Sequence, residues 1–188
     1  MKNLAYHILD IVHNALQAEA DLVKVIVDEQ DQEQIISISI EDNGKGMDRE
    51  QMLRATDPYY TSRKTRHVGM GLPLLKQNAE QTGGNFHIDS KPGEGTRVHA
   101  LFRKNHLDCP SKGDLVGIIH QLIIGNAASD FYISYTRNDQ RFDLDTRELK
   151  EILEGVPLYQ KEISSYIQEL IRENLKEIKA MDGFSYTT

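Results

Sequence analysis

The stretch Glu41-Asp42-Asn43-Gly44-Lys45-Gly46-Met47 follows a segment, residues 35–40, in which isoleucine and serine alternate. A period of two is typical of a half-buried β-strand. Asn43-Gly44 is a strong turn dipeptide, and Gly46 adds a second position that readily adopts a positive φ. The pattern therefore predicts a strand that ends by placing Asp42 at the start of a glycine-rich turn.

Asp42 and its neighbouring glycines suit a flat ligand, because glycine lets the backbone approach such a ligand closely. A carboxylate only accepts hydrogen bonds, so Asp42 matches the exocyclic amino group of an adenine. The same residues also fit an ordinary hairpin turn, since Asp-Asn-Gly is common turn chemistry. Taken alone, this stretch leaves both interpretations open.

A helix is predicted over residues 4–18, where apolar residues recur at helical spacing. Asp10 and Asn14 lie one turn apart on the same face of this helix. The amide oxygen of Asn14 suits a Mg²⁺ ion whose other ligands are water and phosphate oxygens. Asp10 could act as a general base, although a solvated helix face explains the pair as well.

A second glycine-containing turn, residues 68–72, runs into a helix predicted over residues 73–81. The free amides and dipole at a helix N-terminus favour a phosphate, although a plain helix-entry loop is more common. The polar segment before this turn carries Arg63 and Lys64 and is typical of a lid that contacts polyphosphate.

The predicted elements follow the order helix, two strands, lid, helix, two strands, which indicates a sandwich with one mixed sheet. Residues 105–113 contain Pro110 and Gly113 and are interpreted as a linker. Beyond them we expect a short apolar helix, two strands, a helix to Glu154 that starts with a capping box, and a helix from after Pro157 to about Ala180.

The charge and composition of the chain argue against some classes of partner and location. The net charge of −7 and the lack of a long Lys/Arg run argue against nucleic acid or an anionic membrane as a partner. No apolar run approaches the roughly 20 residues of a membrane span. The single cysteine, Cys109, fits a reducing compartment, so we expect a cytoplasmic protein without a membrane anchor.

Taken together, the motifs in residues 4–103 resemble those of the GHKL ATP-binding superfamily, which includes histidine kinases, DNA gyrase, heat-shock chaperones and MutL mismatch-repair proteins. The motifs that carry the resemblance are Asp10…Asn14-Ala15 (N box), Asp42-Asn43-Gly44-Lys45-Gly46 (adenine box), Pro58-Tyr59-Tyr60-Thr61-Ser62-Arg63 (start of a kinase lid), Gly69-Met70-Gly71-Leu72, Gly83-Gly84 and Gly93-Glu94-Gly95-Thr96. The resemblance is nearest to the histidine kinase catalytic domain.

The resemblance implies a Bergerat fold, an α+β two-layer sandwich whose mixed sheet is covered by helices on one face, in a domain over residues 1–104. The rest of the chain lies outside the resemblance, and its residues predict the linker at 105–113 and a small C-terminal α/β extension, the module at 114–188. The cofactors would be ATP and Mg²⁺, with Asn14 as the metal ligand and Asp10 as the catalytic residue. The implied ATP-binding residues are Asn14, Asp42, Gly44, Gly46, Met47, Arg63, Lys64, Gly69, Met70, Gly71, Leu72 and Thr96.

Three departures from the kinase pattern bear on function. Gln17 stands where kinases usually carry lysine, and His67 stands in place of the first glycine of the kinase box. Asp10 stands where kinases usually have Asn and the ATP-hydrolysing branches have Glu. Asp10 and Gln17 therefore favour hydrolysis, whereas the lid and the Gly-Met-Gly-Leu turn favour a kinase.

Three functions remain open at this stage. The first is transfer of the γ-phosphate to a partner protein in signalling, since none of the seven histidines lies in a phosphoacceptor context and the N box is close to the first residue. The others are an ATP-hydrolysing switch of the MutL or chaperone type and a non-catalytic ATP-responsive module. The C-terminal module would serve packing, homodimerisation or partner binding.

Overall fold

A computed structural model describes residues 3–57 and 71–182, which form six helices and six strands. The helices are α1 (Leu4–Gln17), α2 (Arg49–Ala55), α3 (Gly71–Gln81), α4 (Leu115–Gly125), α5 (Thr146–Ile152) and α6 (Lys161–Glu177). The strands are β1 (Leu22–Gln30), β2 (Ile35–Asp42), β3 (Asn85–Lys91), β4 (Gly95–Arg103), β5 (Asp130–Arg137) and β6 (Gln140–Asp145).

The six strands form one sheet in the order β3-β4-β2-β1-β5-β6. Neighbouring strands are antiparallel except β1 and β5, which are parallel. The predicted mixed sheet is therefore confirmed, and the strand that makes it mixed comes from the C-terminal part of the chain. The proposed boundaries at residues 104 and 114 stay a prediction, but the sheet itself continues across them.

One face of the sheet is apolar and covered. Its buried side chains alternate with more exposed ones along the central strands and include Val23, Val25, Val27, Ile36, Ile38, Ile40, Val98, Ala100 and Phe102. Helix α1 contacts β1 and β2, α3 contacts β3 and β4, α4 contacts β5, and α6 packs on α4. Period-two burial on a sheet with helices over its apolar face gives the predicted two-layer sandwich.

Helix α3 begins at Gly71, two residues before the predicted start at Pro73. A proline needs no N–H partner anywhere in the first helical turn, so two residues fit before it. Helix α2 starts with a capping box, because Asp48 accepts from the N–H of Gln51 and the Gln51 side chain accepts from the N–H of Asp48 in return.

Helices α5 and α6 of the C-terminal part are shorter than predicted. Helix α5 ends at Ile152, because Glu154 has a φ of +47°, outside the right-handed helical region. The side chain of Asp145 accepts from the N–H of Arg147 rather than that of Glu148. Helix α6 ends at residue 177, and none of the helices within residues 3–57 and 71–182 is long and apolar enough to span a bilayer.

A buried ionic cluster lies at the end of β1 that is remote from Asp42. Glu29 is only 1% exposed and accepts from Lys104 Nζ at 2.9 Å, Lys112 Nζ at 2.7 Å and the Tyr135 hydroxyl at 2.8 Å. Burial alone would raise the pKa of Glu29, but the two lysines outweigh burial and lower it. The cluster joins β1 to β5 and to the chain that follows β4.

Candidate nucleotide-binding site

Asp42 is the last residue of β2 and pairs in register with Val23 of β1 and Thr96 of β4. Its Oδ1 atom accepts from the backbone N–H of Gly44 at 2.9 Å, and the N–H of Thr96 also donates to the carboxylate. The side chain is half-buried, and burial raises the pKa of Asp42 although both N–H groups oppose the rise. The structure thus presents an oriented, partly desolvated carboxylate.

Gly44 and Gly46 are required by close backbone approaches. A Cβ atom on Gly44 would lie 2.6 Å from the carbonyl oxygen of Ala18. Gly46 has a φ of +63°, and a Cβ atom there would lie 1.9 Å from the carbonyl oxygen of Lys91. The turn after β2 is therefore packed tightly between the end of α1 and the turn that joins β3 to β4.

Asn43 fixes the same turn to the start of β1. Its Oδ1 atom accepts from the backbone N–H groups of Asp21 and Leu22, both at 2.9 Å. The N–H of Lys45 donates to the carbonyl oxygen of Ala18 at 2.9 Å. Asn43 therefore acts as a brace that holds Asp42 and the glycines in place.

Thr96 and Met47 are linked through Ser90, which the sequence analysis did not single out. The N–H of Met47 donates to Ser90 Oγ at 2.8 Å, and Ser90 Oγ lies 2.9 Å from Thr96 Oγ1. Ser90 also donates to the carbonyl oxygen of Gly95 at 2.9 Å. In the sequence, Ser90 reads as one polar residue of an edge strand, so no local pattern could have revealed this contact.

Helix α1 brings Asn14 and Asp10 to the same end of the molecule as Asp42. Asn14 is exposed and lines the cavity, whereas Asp10 is half-buried. A Cβ atom on Gly71, the first residue of α3, would lie 3.2 Å from Asp10 Cβ. Asp10 therefore lies beside the helix N-terminus that was predicted to hold phosphate.

These elements surround a cavity of about 510 Å³, within the usual range for small-molecule sites. The predicted residues that line it are Asn14, Asp42, Gly46, Met47, Leu72 and Thr96. Gly44 adjoins it through its bond to Asp42, and Gly71 precedes the lining residue Leu72, whereas Asp10 contacts Gly71 but does not line the cavity. Four predicted phosphate contacts, Arg63, Lys64, Gly69 and Met70, lie outside the described residues.

The cavity also has a wall that the sequence analysis missed. Helix α2 contributes Gln51, Arg54 and Ala55, and Arg54 forms an ion pair with Glu50 on the same helix. Gln51 and Arg54 are three residues apart, so they share a helical face, and this spacing was the available signal. The remaining missed residues are Ile11, Ala15, Gln17, Ala18, Lys45 and Val98.

The residues present fit a nucleotide with its metal. Asp42 and Thr96 offer polar atoms beside the apolar side chains of Ile11, Ala15 and Val98, and at Gly44 a side chain would crowd the Asp42 carboxylate. Within residues 3–57 and 71–182, no three His, Cys, Asp or Glu side chains converge as a metal site. A metal at Asn14 would therefore rely on phosphate and water ligands, which is usual for Mg²⁺.

Comparison with known proteins identifies the family. A family profile described as "Histidine kinase-, DNA gyrase B-, and HSP90-like ATPase" matches residues 2–106, more than half of the chain. The chain belongs to this ATPase family. Its ATP-binding domain is of the histidine kinase type, and the sheet and helices described above form the Bergerat architecture of the family.

Relatives of this ATPase family member include sensor kinases of Bacillus subtilis (strain 168). It is 33% identical over 99 residues to the "Probable C4-dicarboxylate sensor kinase" and 36% identical over 73 residues to sensor histidine kinase YvrG. These matches cover 53% and 37% of this chain but only 17% and 13% of the two kinases. The chain therefore corresponds to a small part of the length of these relatives.

Among solved structures, the "N terminal domain of a DNA repair protein" matches this ATPase with a TM-score of 0.55 and 16% sequence identity. The match covers 95% of this chain and 57% of that chain. It therefore extends beyond residue 106 into the C-terminal strands and helices. At this identity the likeness concerns the fold alone.

Proposed function

We propose that this protein binds Mg-ATP in the cavity between α1, α2, the end of β2 and the start of β4, and that it transfers the γ-phosphate to a separate partner protein in signalling. The proposal rests on one observation. Asp42, Asn14 and Leu72, at the start of α3, line the same cavity of a histidine kinase-type domain. The sensor kinases to which the chain is similar support phosphate transfer rather than binding alone.

Each residue has a role that its position supports. Asp42 accepts from the adenine amino group, and Thr96 with Gly44, Gly46 and Met47 surrounds the base. Gly71 and Leu72 offer backbone N–H groups at the start of α3 to the phosphates. Arg63, Lys64, Gly69 and Met70 are proposed to complete the phosphate contacts.

Asn14 is proposed to hold Mg²⁺, which when bound neutralises charge on the β- and γ-phosphates. In the transfer, the bond between the γ-phosphorus and the β,γ-bridging oxygen breaks, a bond to the acceptor atom of the partner forms, and ADP leaves. Asp10 lies beside the start of α3, where its carboxylate can orient the acceptor or receive its proton.

A second candidate function, ATP hydrolysis in a conformational switch, is favoured by that same position of Asp10. A carboxylate next to a phosphate-binding helix N-terminus can activate a water molecule, as the glutamate of the ATP-hydrolysing branches does at the corresponding place. In this case, the proton of the water would go to Asp10 and inorganic phosphate would leave.

Following the γ-phosphate of labelled ATP with purified protein and Mg²⁺ separates the two functions. Steady release of inorganic phosphate that Asp10→Asn abolishes, with ATP binding retained, would establish the switch. We expect ATP binding with little release until a phosphoacceptor protein is added. Rapid release that is equal in the parent and Asp10→Asn would contradict both the transfer proposal and the role of Asp10 as a base.

A further inference from the structure

The first turn of α1 is held by the segment interpreted as a linker. The N–H of Leu4 donates to the carbonyl oxygen of Ser111 at 2.9 Å, and the N–H of Ala5 donates to that of Lys112 at 3.0 Å. The first N–H groups of a helix have no acceptor within the helix, so these bonds fix where α1 begins. The start of α1 thus depends on chain more than 100 residues away.

A side-chain cap reinforces the same junction. Asn3 Oδ1 accepts from the N–H of Tyr6 at 2.9 Å and caps α1. Gly113 has a φ of +73°, and a Cβ atom there would lie 2.2 Å from Asn3 Cγ. Residues 111–113 therefore fit closely around the cap, and a shift of either partner would disturb the other.

The loop between α1 and β1 is bonded to the start of β5. Ser129 Oγ donates to the carbonyl oxygen of Ala20 at 3.1 Å, and the N–H of Asp130 donates to that of Asp21 at 2.7 Å. The same loop after α1 includes Ala18, which lines the cavity. The start of the helix that carries Asp10 and Asn14, and the loop that follows this helix, are therefore both bonded to the C-terminal half of the chain.

Lys112 connects this anchoring to the end of α6. Its Nζ atom donates to Glu29 at 2.7 Å and to the carbonyl oxygen of Ala180, just beyond α6, at 3.0 Å. Lys112 is 6% exposed and Ala180 is fully buried. A single buried residue thus bonds through its backbone to the start of α1 and through its side chain to the end of α6.

The cavity draws its two halves from different layers. Asp42 and Thr96, which face the adenine in the proposed function, belong to the sheet. Asn14 and Asp10, which face the metal and the γ-phosphate, belong to α1. A displacement of α1 would therefore move Asn14 and Asp10 directly, whereas it would reach the adenine half only through the contacts of Ala18 with Gly44 and Lys45.

We propose that Lys112 is a positioning residue for the metal and phosphate half of this site, and that it links occupancy of that half to the C-terminal helix α6. The inference rests on the proposed Mg-ATP site. Coupling of this kind is reciprocal, so a partner that moves α6 would change Mg-ATP affinity, and Mg-ATP would stabilise the junction between α1, Lys112 and α6.

The test compares binding of Mg-ATP with binding of adenosine in the parent and in Lys112→Met. We expect the variant to bind Mg-ATP about tenfold more weakly, a shift readily resolved by titration, while adenosine affinity stays within about twofold of the parent. Lys176→Met removes the same charge from an exposed position on α6 and should leave both affinities unchanged.

A second readout follows hydrogen exchange at the amides of Leu4 and Ala5, whose acceptors lie at residues 111 and 112. We expect Mg-ATP to slow their exchange in the parent and adenosine to have no effect. If Lys112→Met does not fold, Asn3→Ala loosens the same junction by removing the cap and should show the same selective loss of Mg-ATP affinity.

Several outcomes would overturn the inference. Unchanged Mg-ATP affinity in Lys112→Met would show that Lys112 does not position the metal and phosphate half. An equal loss of Mg-ATP and adenosine affinity would show that Lys112 contributes only to the general stability of the fold. Failure of the parent itself to bind Mg-ATP would overturn the proposed function, and the inference with it. The parent titration therefore distinguishes the two failures.

Discussion

Asp42 Oδ1 accepts a 2.9 Å hydrogen bond from the backbone N–H of Gly44, so the turn that follows β2 orients the carboxylate at the end of that strand. This bond uses only the Oδ1 oxygen of the carboxylate. The other oxygen can still accept a hydrogen bond, and an ionised carboxylate donates none. The N–H of Gly44 can reach the carboxylate only if the glycine turn folds back toward the end of β2. The hydrogen bond therefore makes the orientation of the Asp42 side chain depend on the conformation of this turn.

Asp42→Asn should weaken ATP binding by at least about tenfold, because the side-chain NH₂ would compete with the adenine amino group for the same position. Titration of ATP into the parent and the variant measures the loss. Asp139→Asn, in the exposed turn between β5 and β6, is the matched control and should bind as the parent does. Equal affinity of parent and Asp42→Asn would show that the base lies elsewhere.

ATP affinity should fall on acidification at higher pH than an ordinary aspartate would produce. Burial raises the pKa of Asp42, and the protonated group loses its acceptor-only character. The effect on stability has the opposite sign, because a carboxyl group with a raised folded-state pKa favours the folded state more as the pH falls through that pKa. Affinity should therefore decline while the Asp42 contribution to folding improves.

Measuring ATP affinity against pH in the parent and in Asp42→Asn tests this prediction. The acid-dependent loss should be present in the parent and largely absent in the variant. A loss of identical size and midpoint in both proteins would assign the titration to the nucleotide or to another residue.

Ser90→Ala should weaken ATP binding and lower stability by about 1–3 kcal/mol, because it deprives the N–H of Met47 of its acceptor and Thr96 of its hydroxyl partner. Ser37→Ala, on the more exposed face of β2, is the control. Urea unfolding and ATP titration provide the two measurements. Wild-type behaviour of Ser90→Ala would mean that water replaces the hydroxyl without loss.

Gly46→Ala should disrupt the turn, because its positive φ costs a side chain about 1–2 kcal/mol and the added methyl would collide with the carbonyl of Lys91. We expect a lower melting temperature and loss of ATP binding. Gly125→Ala, with no atom within 4 Å of the added Cβ, should fold and bind normally. If Gly46→Ala retains both properties, the turn is not held as tightly as the Lys91 contact implies.

Glu29→Gln should destabilise the protein by about 3–5 kcal/mol, because Lys104 and Lys112 would lose the charge they share in a buried site. The pKa of Glu29 is lowered on folding, so its contribution is present above the ordinary glutamate pKa of about 4.3 and disappears as the pH falls through the folded-state value. Urea unfolding at neutral and acidic pH measures both effects.

Glu173→Gln, an exposed position on α6, supplies the control for Glu29→Gln and should unfold at the parent urea concentration. The difference between the parent and Glu29→Gln should shrink as the pH is lowered. A difference that stays constant with pH would mean that the glutamate contributes through packing rather than charge.

Local patterns predicted the elements around the site well. The alternation of Ile36, Ile38 and Ile40 predicted β2, and the glycines beside Asp42 predicted a turn that a side chain could not occupy. These predictions succeed because periodicity and positive φ are decided by nearest neighbours along the chain. The spacing of Asp10 and Asn14 likewise predicted that both lie on one face of α1, where Asn14 lines the cavity and Asp10 lies against Gly71.

Long-range pairing could not be predicted in the same way. The parallel contact of β5 with β1 joins residues about 108 apart, such as Val25 and Ile133, and neither strand encodes the other in its own pattern. Glu29 reads as a polar strand end, yet it is buried because Lys104, Lys112 and Tyr135 reach it from distant segments. Ser90 gained its role only once β3 had come to lie beside the Met47 turn.

The pairing of β5 with β1 has a consequence for biosynthesis. Until residues 130–137 have left the ribosome, β1 presents an unpaired edge along its whole length, next to an apolar face. A fragment ending at residue 104 would keep that edge permanently and should self-associate through it. Expression of the ATP-binding segment alone should therefore yield aggregates, even though it contains every motif that we propose to contact the nucleotide.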